Sequence, residues 1–189
     1  MWNIEEIKKD VRSNLSDYRY NHSLRVMEEA KKLAEHYKAD IEKCRVCALT
    51  HDMCKEYSTE ENEEFIKKYN LPKELLNSEN KNIVHGFIAS ILVKEKYNFT
   101  EDMVLAIRYH TTGYPNMDIL AKIIYLADKI EKGKDYPGIE EERYLAYKNI
   151  DKAIILCLNN QIKHLKEKNI VINKMGYKTL KFLEESTIN

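Results

Sequence analysis

Six side chains able to ligate a cation, His22, His51, Asp52, His85, His110 and Asp128, are scattered over more than half of the chain. Five of them each interrupt an apolar stripe at helical spacing. His22 falls with Leu15, Tyr18, Val26, Ala30, Leu33 and Tyr37, His51 with Cys44, Cys47 and Ala48, and His85 with Ile88, Ala89 and Leu92. His110 falls with Met103, Ala106 and Ile107, and Asp128 with Leu120, Ala121 and Ile124. Burying an imidazole or a carboxylate without a partner is expensive. One such group finds a local hydrogen bond; five faces each turning one inward point to a shared cation. His36, beside Lys32 and Glu35, and His164, in a row with Gln161 and Lys168, lack an apolar setting and are expected at the surface.

Imidazole and carboxylate donors suit a divalent ion such as iron, manganese, zinc or cobalt. One such ion can activate water and polarise a phosphoryl oxygen. Six donors could also hold two ions with Asp52 between them, because His51 and Asp52, neighbours on a helix, point about 100° apart.

The elements that must carry these groups read as helices almost throughout, with no repeat, linker or low-complexity tract. Expected are helices over about 3–11, then to Tyr37 with Ser13, Asn14 or Ser16 as cap, and 41–53 after Asp40. Further helices are expected from Ser58-Thr59 to near Asn70, where Leu71-Pro72 breaks, over 82–97, and from Thr100 through His110 to Thr111-Thr112-Gly113. The pattern continues with 117–130, a loop over 133–138, and helices over 140–147, 150–168 and 176–185, with a turn or short extended piece at 168–173. The expectation is one all-α domain over 1–189, a helical bundle with its core at about 17–130 and helices 140–186 completing the site.

Composition agrees. Five Gly and three Pro in 189 residues leave little punctuation for a many-stranded fold. Lys+Arg and Asp+Glu both number 31, so the basic surplus of a nucleic-acid binder is missing. The start, Met1 to Lys9, lacks the apolar stretch of a signal peptide, and no run reaches the ~18 apolar residues of a membrane span, so a cytoplasmic protein is expected. Cys44 and Cys47 have knuckle spacing without a second pair, and on an apolar stripe they read as small hydrophobes; Cys54 and Cys157 give no signal. The 13 Tyr could line a homodimer contact.

His22, His51-Asp52 and a distant Asp128, in that order, resemble the H…HD…D signature of the HD-domain phosphohydrolases. The blocks Arg19-Tyr20-Asn21-His22-Ser23-Leu24, His51-Asp52-Met53-Cys54-Lys55, Val84-His85-Gly86, His110-Thr111-Thr112-Gly113, Ala127-Asp128-Lys129-Ile130-Glu131 and Tyr136-Pro137-Gly138-Ile139-Glu140 are similar to the bacterial YqeK-type symmetrical diadenosine tetraphosphatases. The resemblance spans about Arg19 to Tyr177. It implies an all-α HD-domain bundle that splits diadenosine tetraphosphate into two ADP, with His22, His51, Asp52 and Asp128 on an iron-preferring centre. His85 and His110 would hold a second metal or contact the phosphates, and either, if not a ligand, could protonate the leaving oxygen.

Arg19, Lys55, Thr111 and Lys134 are the phosphate-side candidates by the same resemblance, with Gly176 and Tyr177 near the nucleoside. Spacing supports two of them: Arg19 precedes His22, and Lys55 follows the His51-Asp52 pair, by about one turn. At position 134 the family has Arg; Lys keeps the charge without the bidentate fork. Rival readings are an HD-type hydrolase of a deoxynucleoside triphosphate, a nucleoside monophosphate or a guanosine alarmone, and a metal-dependent nucleotide sensor without turnover. The chain has neither a Gly-rich phosphate loop nor a G-x-S-x-G elbow.

Overall fold

The computed structural model describes residues 2–77 and 80–188, so Met1 and Asn189, the ends of the span read as one domain, lie outside it. Among the described residues there are ten α-helices, one short 3₁₀ helix (Lys73–Leu76) and no strand. The helices are α1 (Ile4–Asn14), α2 (Asp17–Tyr37), α3 (Ile41–Thr50), α4 (Thr59–Lys68), α5 (Val84–Tyr97), α6 (Glu101–Arg108), α7 (Ile119–Ile130), α8 (Ile139–Ala146), α9 (Ile150–Glu167) and α10 (Lys174–Ile188). None is long and apolar enough to cross a membrane.

Local chemistry sets most of the starts. Asn3, Ser16, Asp40, Asp118 and Asn149 each accept a backbone N–H of their own first turn. Ser58 and Glu61 form a reciprocal capping box on α4. Of the three caps considered for α2, Ser16 serves; Ser13 and Asn14 belong to α1 and bond back to the Asp10 carbonyl. Helices α2, α4 and α5 stop where Lys38, Asn70 and Asn98 take left-handed backbone at or just past their ends.

Helix α2 packs along α3 and α7, α5 on α6, and α6 and α9 on α7. Val26, Leu33, Cys44, Cys47, Ile88, Ile107, Ile124 and Leu126 are wholly buried between them. The cysteines are therefore core hydrophobes, as their stripe implied, and all four are free thiols. Tyr18 departs from its expected stripe: at 73% exposure it stands in solvent, with the Arg19 guanidinium over its ring at 5.8 Å.

The helix ends that matter most also differ from the sequence pattern. Helix α3 closes at Thr50 rather than Met53, and His51 and Asp52 enter a series of tight turns (Met53 N–H to Thr50 O, 3.1 Å; Lys55 N–H to Asp52 O, 2.8 Å). Helix α6 closes at Arg108, leaving His110 in a turn completed by Gly113 at φ 62°. In both places a histidine follows the helix and turns its ring back onto a carbonyl of the last turn. His51 Nδ1 takes the Ala48 carbonyl at 2.6 Å and His110 Nδ1 takes that of Ile107 at 2.7 Å. The side chain that was expected to extend each helix terminates it instead.

Candidate metal centre

All six candidate ligands converge. His22 Nε2 stands 3.1 Å from Asp128 Oδ1 and 3.8 Å from Asp52 Oδ2. His51 Nε2 is 3.7 Å from both carboxylates. His85 Nε2 lies 3.0 Å from Asp52 Oδ1 and 3.0 Å from His110 Nε2. His22, His51 and Asp128 form one tight triad, and His51, Asp52 and His110 a second; within each, the donor atoms lie within 4.8 Å of one another. All four histidines are no more than 3% exposed, whereas His36 and His164 are at the surface.

One glycine permits this closeness. A Cβ on Gly86 would sit 2.9 Å from the Arg108 carbonyl oxygen, 3.1 Å from that of Ile107 and 3.3 Å from His110 Cε1. Without a side chain there, the start of α5 lies against the end of α6, and His85 meets His110.

Hydrogen bonds define which nitrogen faces the centre. His51 and His110 donate Nδ1–H to backbone carbonyls, and His22 donates Nδ1–H to Glu131 Oε1 at 3.1 Å. His51 and His110 therefore present a bare Nε2 lone pair inward. For His22 both ring nitrogens face carboxylate oxygens, Nδ1 toward Glu131 and Nε2 toward Asp128 at 3.1 Å, so a cation bound at Asp128 would take Nε2 as a ligand. His51 Nε2 is buried and has no hydrogen-bond partner. Nitrogen and oxygen donors, inward lone pairs and one orphaned imidazole nitrogen together fit a divalent ion. His85 differs. Its Nδ1 accepts from the Lys55 ammonium at 3.4 Å, which leaves Nε2–H as a donor toward Asp52 and His110.

The electrostatics follow from crowding. Burial, with lesser contributions from His110 and Lys55, pushes His85 down to about 3, so it stays neutral. Burial likewise lowers His110 and Lys55. Asp52 and Asp128 would be raised by burial alone, yet the cluster outweighs it: His51, His110 and His85 hold Asp52, and Lys129, His22 and His51 hold Asp128, well below the usual carboxylate range.

Arg19 reaches Asp52 Oδ2 at 3.4 Å, and the Thr111 hydroxyl lies 3.2 Å from His110 Nε2. Lys134 stands apart from the cluster, lining a cavity of about 530 Å³ with Lys129, Tyr136, Asn160, Gln161 and His164. Gly176 lines a smaller groove with Thr111, Thr112 and Gln161, while Tyr177 is 42% exposed on α10.

Two residues lie beyond the ligands that sequence reasoning named. Lys129 donates to Asp128 Oδ2 at 2.8 Å. Glu131, 1% exposed, takes His22 on one oxygen while Arg25 Nε (2.6 Å) and the Gly133 N–H (2.5 Å) hold the other. Both belong to the Ala127–Glu131 block; Glu131 ends α7 with its N–H still on the Ala127 carbonyl at 3.1 Å, three residues past Asp128 and on the same side of the helix, so it meets the other ring nitrogen of His22.

The HD domain family model matches residues 19–133 of the chain. The chain is 36% identical over 173 residues to a protein of Staphylococcus aureus named bis(5′-nucleosyl)-tetraphosphatase, symmetrical, covering 90% of this chain and 89% of that one. It is 37% identical over 168 residues to the Bacillus subtilis protein of the same name, covering 88% and 90%. A crystal structure described as a predicted HD superfamily hydrolase involved in NAD metabolism, from Clostridium acetobutylicum, superposes with a TM-score of 0.91 at 35% identity, over 98% of this chain and 99% of that one.

Proposed function

The chain belongs to the HD-domain family, and on that premise we propose that it is a metal-dependent hydrolase cleaving diadenosine tetraphosphate symmetrically into two ADP. The observation that carries the hydrolytic reading is the orphaned, buried His51 Nε2 among inward-facing lone pairs and two carboxylates. The symmetrical specificity rests on the two relatives that bear that name.

We assign His22, His51, Asp52 and Asp128 to the metal. A divalent ion there supplies Lewis acidity and an activated water to phosphoanhydride hydrolysis. Iron is our preferred ion, with manganese, cobalt and zinc as competitors for the same donors. His110, with its bare Nε2, completes the second triad and is the group through which a second ion would be held.

Arg19 and Lys55 supply positive charge to the phosphate oxygens as charge builds on the transferring and leaving groups. His85, neutral and with Nε2–H turned into the centre, donates a hydrogen bond to a phosphate oxygen, and the Thr111 hydroxyl adds a second contact. Lys134, Gly176 and Tyr177 are our candidates for the first nucleotide half, so α8–α10 complete one catalytic unit with the 17–130 core. The same reading makes the protein a cytoplasmic enzyme of a free nucleotide, touching neither nucleic acid nor membrane; light scattering tests a homodimer.

The deciding experiment is hydrolysis of diadenosine tetraphosphate by anaerobically purified, iron-loaded protein, with products separated by chromatography. ADP as sole product is expected. ATP plus AMP would refute symmetrical cleavage. No turnover with iron bound would transfer the site to another nucleotide or to sensing.

A further inference from the structure

The centre has two ends, and each is tied by a lysine to its own cavity. At the Asp128 end, Lys129 holds the carboxylate at 2.8 Å and also lines the cavity of about 530 Å³ that Lys134 borders. At the Asp52–His85 end, Lys55 bonds His85 Nδ1 at 3.4 Å, and Lys55 and His85 together line a separate cavity of about 340 Å³. Its other walls include Tyr57, Asn62, Leu75 and Val84, from the turn after Asp52, α4, the 3₁₀ helix and the start of α5.

Taking symmetrical cleavage as given, on the reading above, the attacked bond has two phosphates and one nucleoside on each side. A centre with a nucleoside-sized space at one end alone would hold half of such a substrate. The geometry points to the cavity bounded by Tyr57, Asn62, Leu75 and Val84 as the seat of the second nucleoside, with Lys55 at the phosphates that join it to the centre.

Its size falls within the range of small-molecule sites. Leu75 and Val84 are apolar, and Tyr57 is a half-buried ring able to face a base. Asn62 adds a polar signal. Its Nδ2 donates to the Tyr57 carbonyl at 3.4 Å, but its Oδ1 is buried with no partner. A buried acceptor without a donor is uncommon in a folded protein; a turn of the Asn62 amide about its side chain brings this one to the cavity wall, and the exocyclic amine of adenine is a donor of the missing kind.

Adenosine 5′-tetraphosphate, which carries one nucleoside, separates this seat from the first one. For Tyr57→Ala, KM for diadenosine tetraphosphate is expected to rise about tenfold, while the inhibition constant of adenosine 5′-tetraphosphate stays within about twofold of wild type. Tyr57→Phe, which keeps the ring, is expected to restore KM, and Val84→Trp, which fills the cavity, to raise it again. Metal content and circular dichroism identify a variant that has merely unfolded. Equal losses on both ligands, or an unchanged KM in both Tyr57→Ala and Val84→Trp, would overturn the assignment. If the wild type turned over no diadenosine tetraphosphate, the proposed function itself would fail, and this seat with it.

Discussion

Replacing Glu131 by Gln changes one atom of the carboxylate and no volume, yet it should disable the centre from behind. Glu131 Oε1 accepts from His22 Nδ1 and from Arg25 Nη2 at 3.3 Å; Oε2 accepts from Arg25 Nε and the Gly133 N–H. Burial would raise this carboxyl, but Arg25, Gly133 and His22 hold it below its usual range, so it remains an anion with four donors around it. An amide offers one oxygen and one NH₂. With NH₂ at Oε2 it confronts Arg25 and Gly133, both donors. With NH₂ at Oε1 it confronts His22 and Arg25, and only His22 can yield, by moving its proton from Nδ1 to Nε2. That removes the lone pair that Nε2 would offer to a cation at Asp128. Losing a partner of this kind weakens metal binding by about 10–100-fold. Leaving a buried donor unmade costs about 1–3 kcal/mol, a fall in Tm of about 2–12 °C for a chain of this size. A Co(II) titration followed by absorbance, with calorimetry on the metal-free protein, measures the two effects separately. Wild-type cobalt affinity in Glu131→Gln would refute the argument that Glu131 sets the tautomer of His22.

Three further perturbations test other parts of the account. Gly86→Ala pits helix propensity, which favours Ala by about 1 kcal/mol, against a Cβ 2.9 Å from a backbone oxygen that cannot swing away. Overpacking of about 1–3 kcal/mol should win, so a lowered Tm and about 10–100-fold slower turnover are expected, and a raised Tm would contradict the close approach. Asp128→Ala should abolish both bound metal and hydrolysis; a variant with full metal content and full activity would remove Asp128 from the centre. Chelating the metal from a site loaded at about 100 times its Kd removes about 2.7 kcal/mol of stabilisation, so Tm should fall by about 5–11 °C, and an unchanged Tm would mean that the folded protein does not hold the ion.

Five of the six clustered side chains were legible because each breaks an apolar stripe, and a stripe is a one-dimensional record of which face is buried; Asp52 was legible only as the neighbour of His51. His22 and Asp128 sit within α2 and α7, where the 3.6-residue period holds. His51 and His110 were found by the same period although neither lies in a regular helix, because the tight turns after α3 and α6 keep nearly helical direction for a few residues. That residual direction also explains why both helices read too long. Glu131 keeps that register too, three residues past Asp128 on the same side of α7; what the sequence hides is its other partner, because only the folded protein brings Arg25 of α2 to its second oxygen. Tyr18 misled because a stripe marks a face of the helix and not how much of that face the rest of the protein covers. Tyr18 stands at 73% exposure, although Leu15 three residues before it and His22 four residues after it are buried.

The four free cysteines carry a practical consequence. Cys44, Cys47, Cys54 and Cys157 are each at most 4% exposed. Burial pushes the thiols of Cys44 and Cys54 up to about 12, and those of Cys47 and Cys157 up as well. A thiol held so far above neutrality presents almost no thiolate to an alkylating reagent, so labelling must wait for the surrounding structure to open. Cys44 and Cys47 report on α3, Cys54 on the turn that follows Asp52, and Cys157 on α9 beside the larger cavity. Labelling followed cysteine by cysteine in a mass spectrometer thus times the opening of three neighbourhoods without any introduced probe, and shows which of them a bound nucleotide closes.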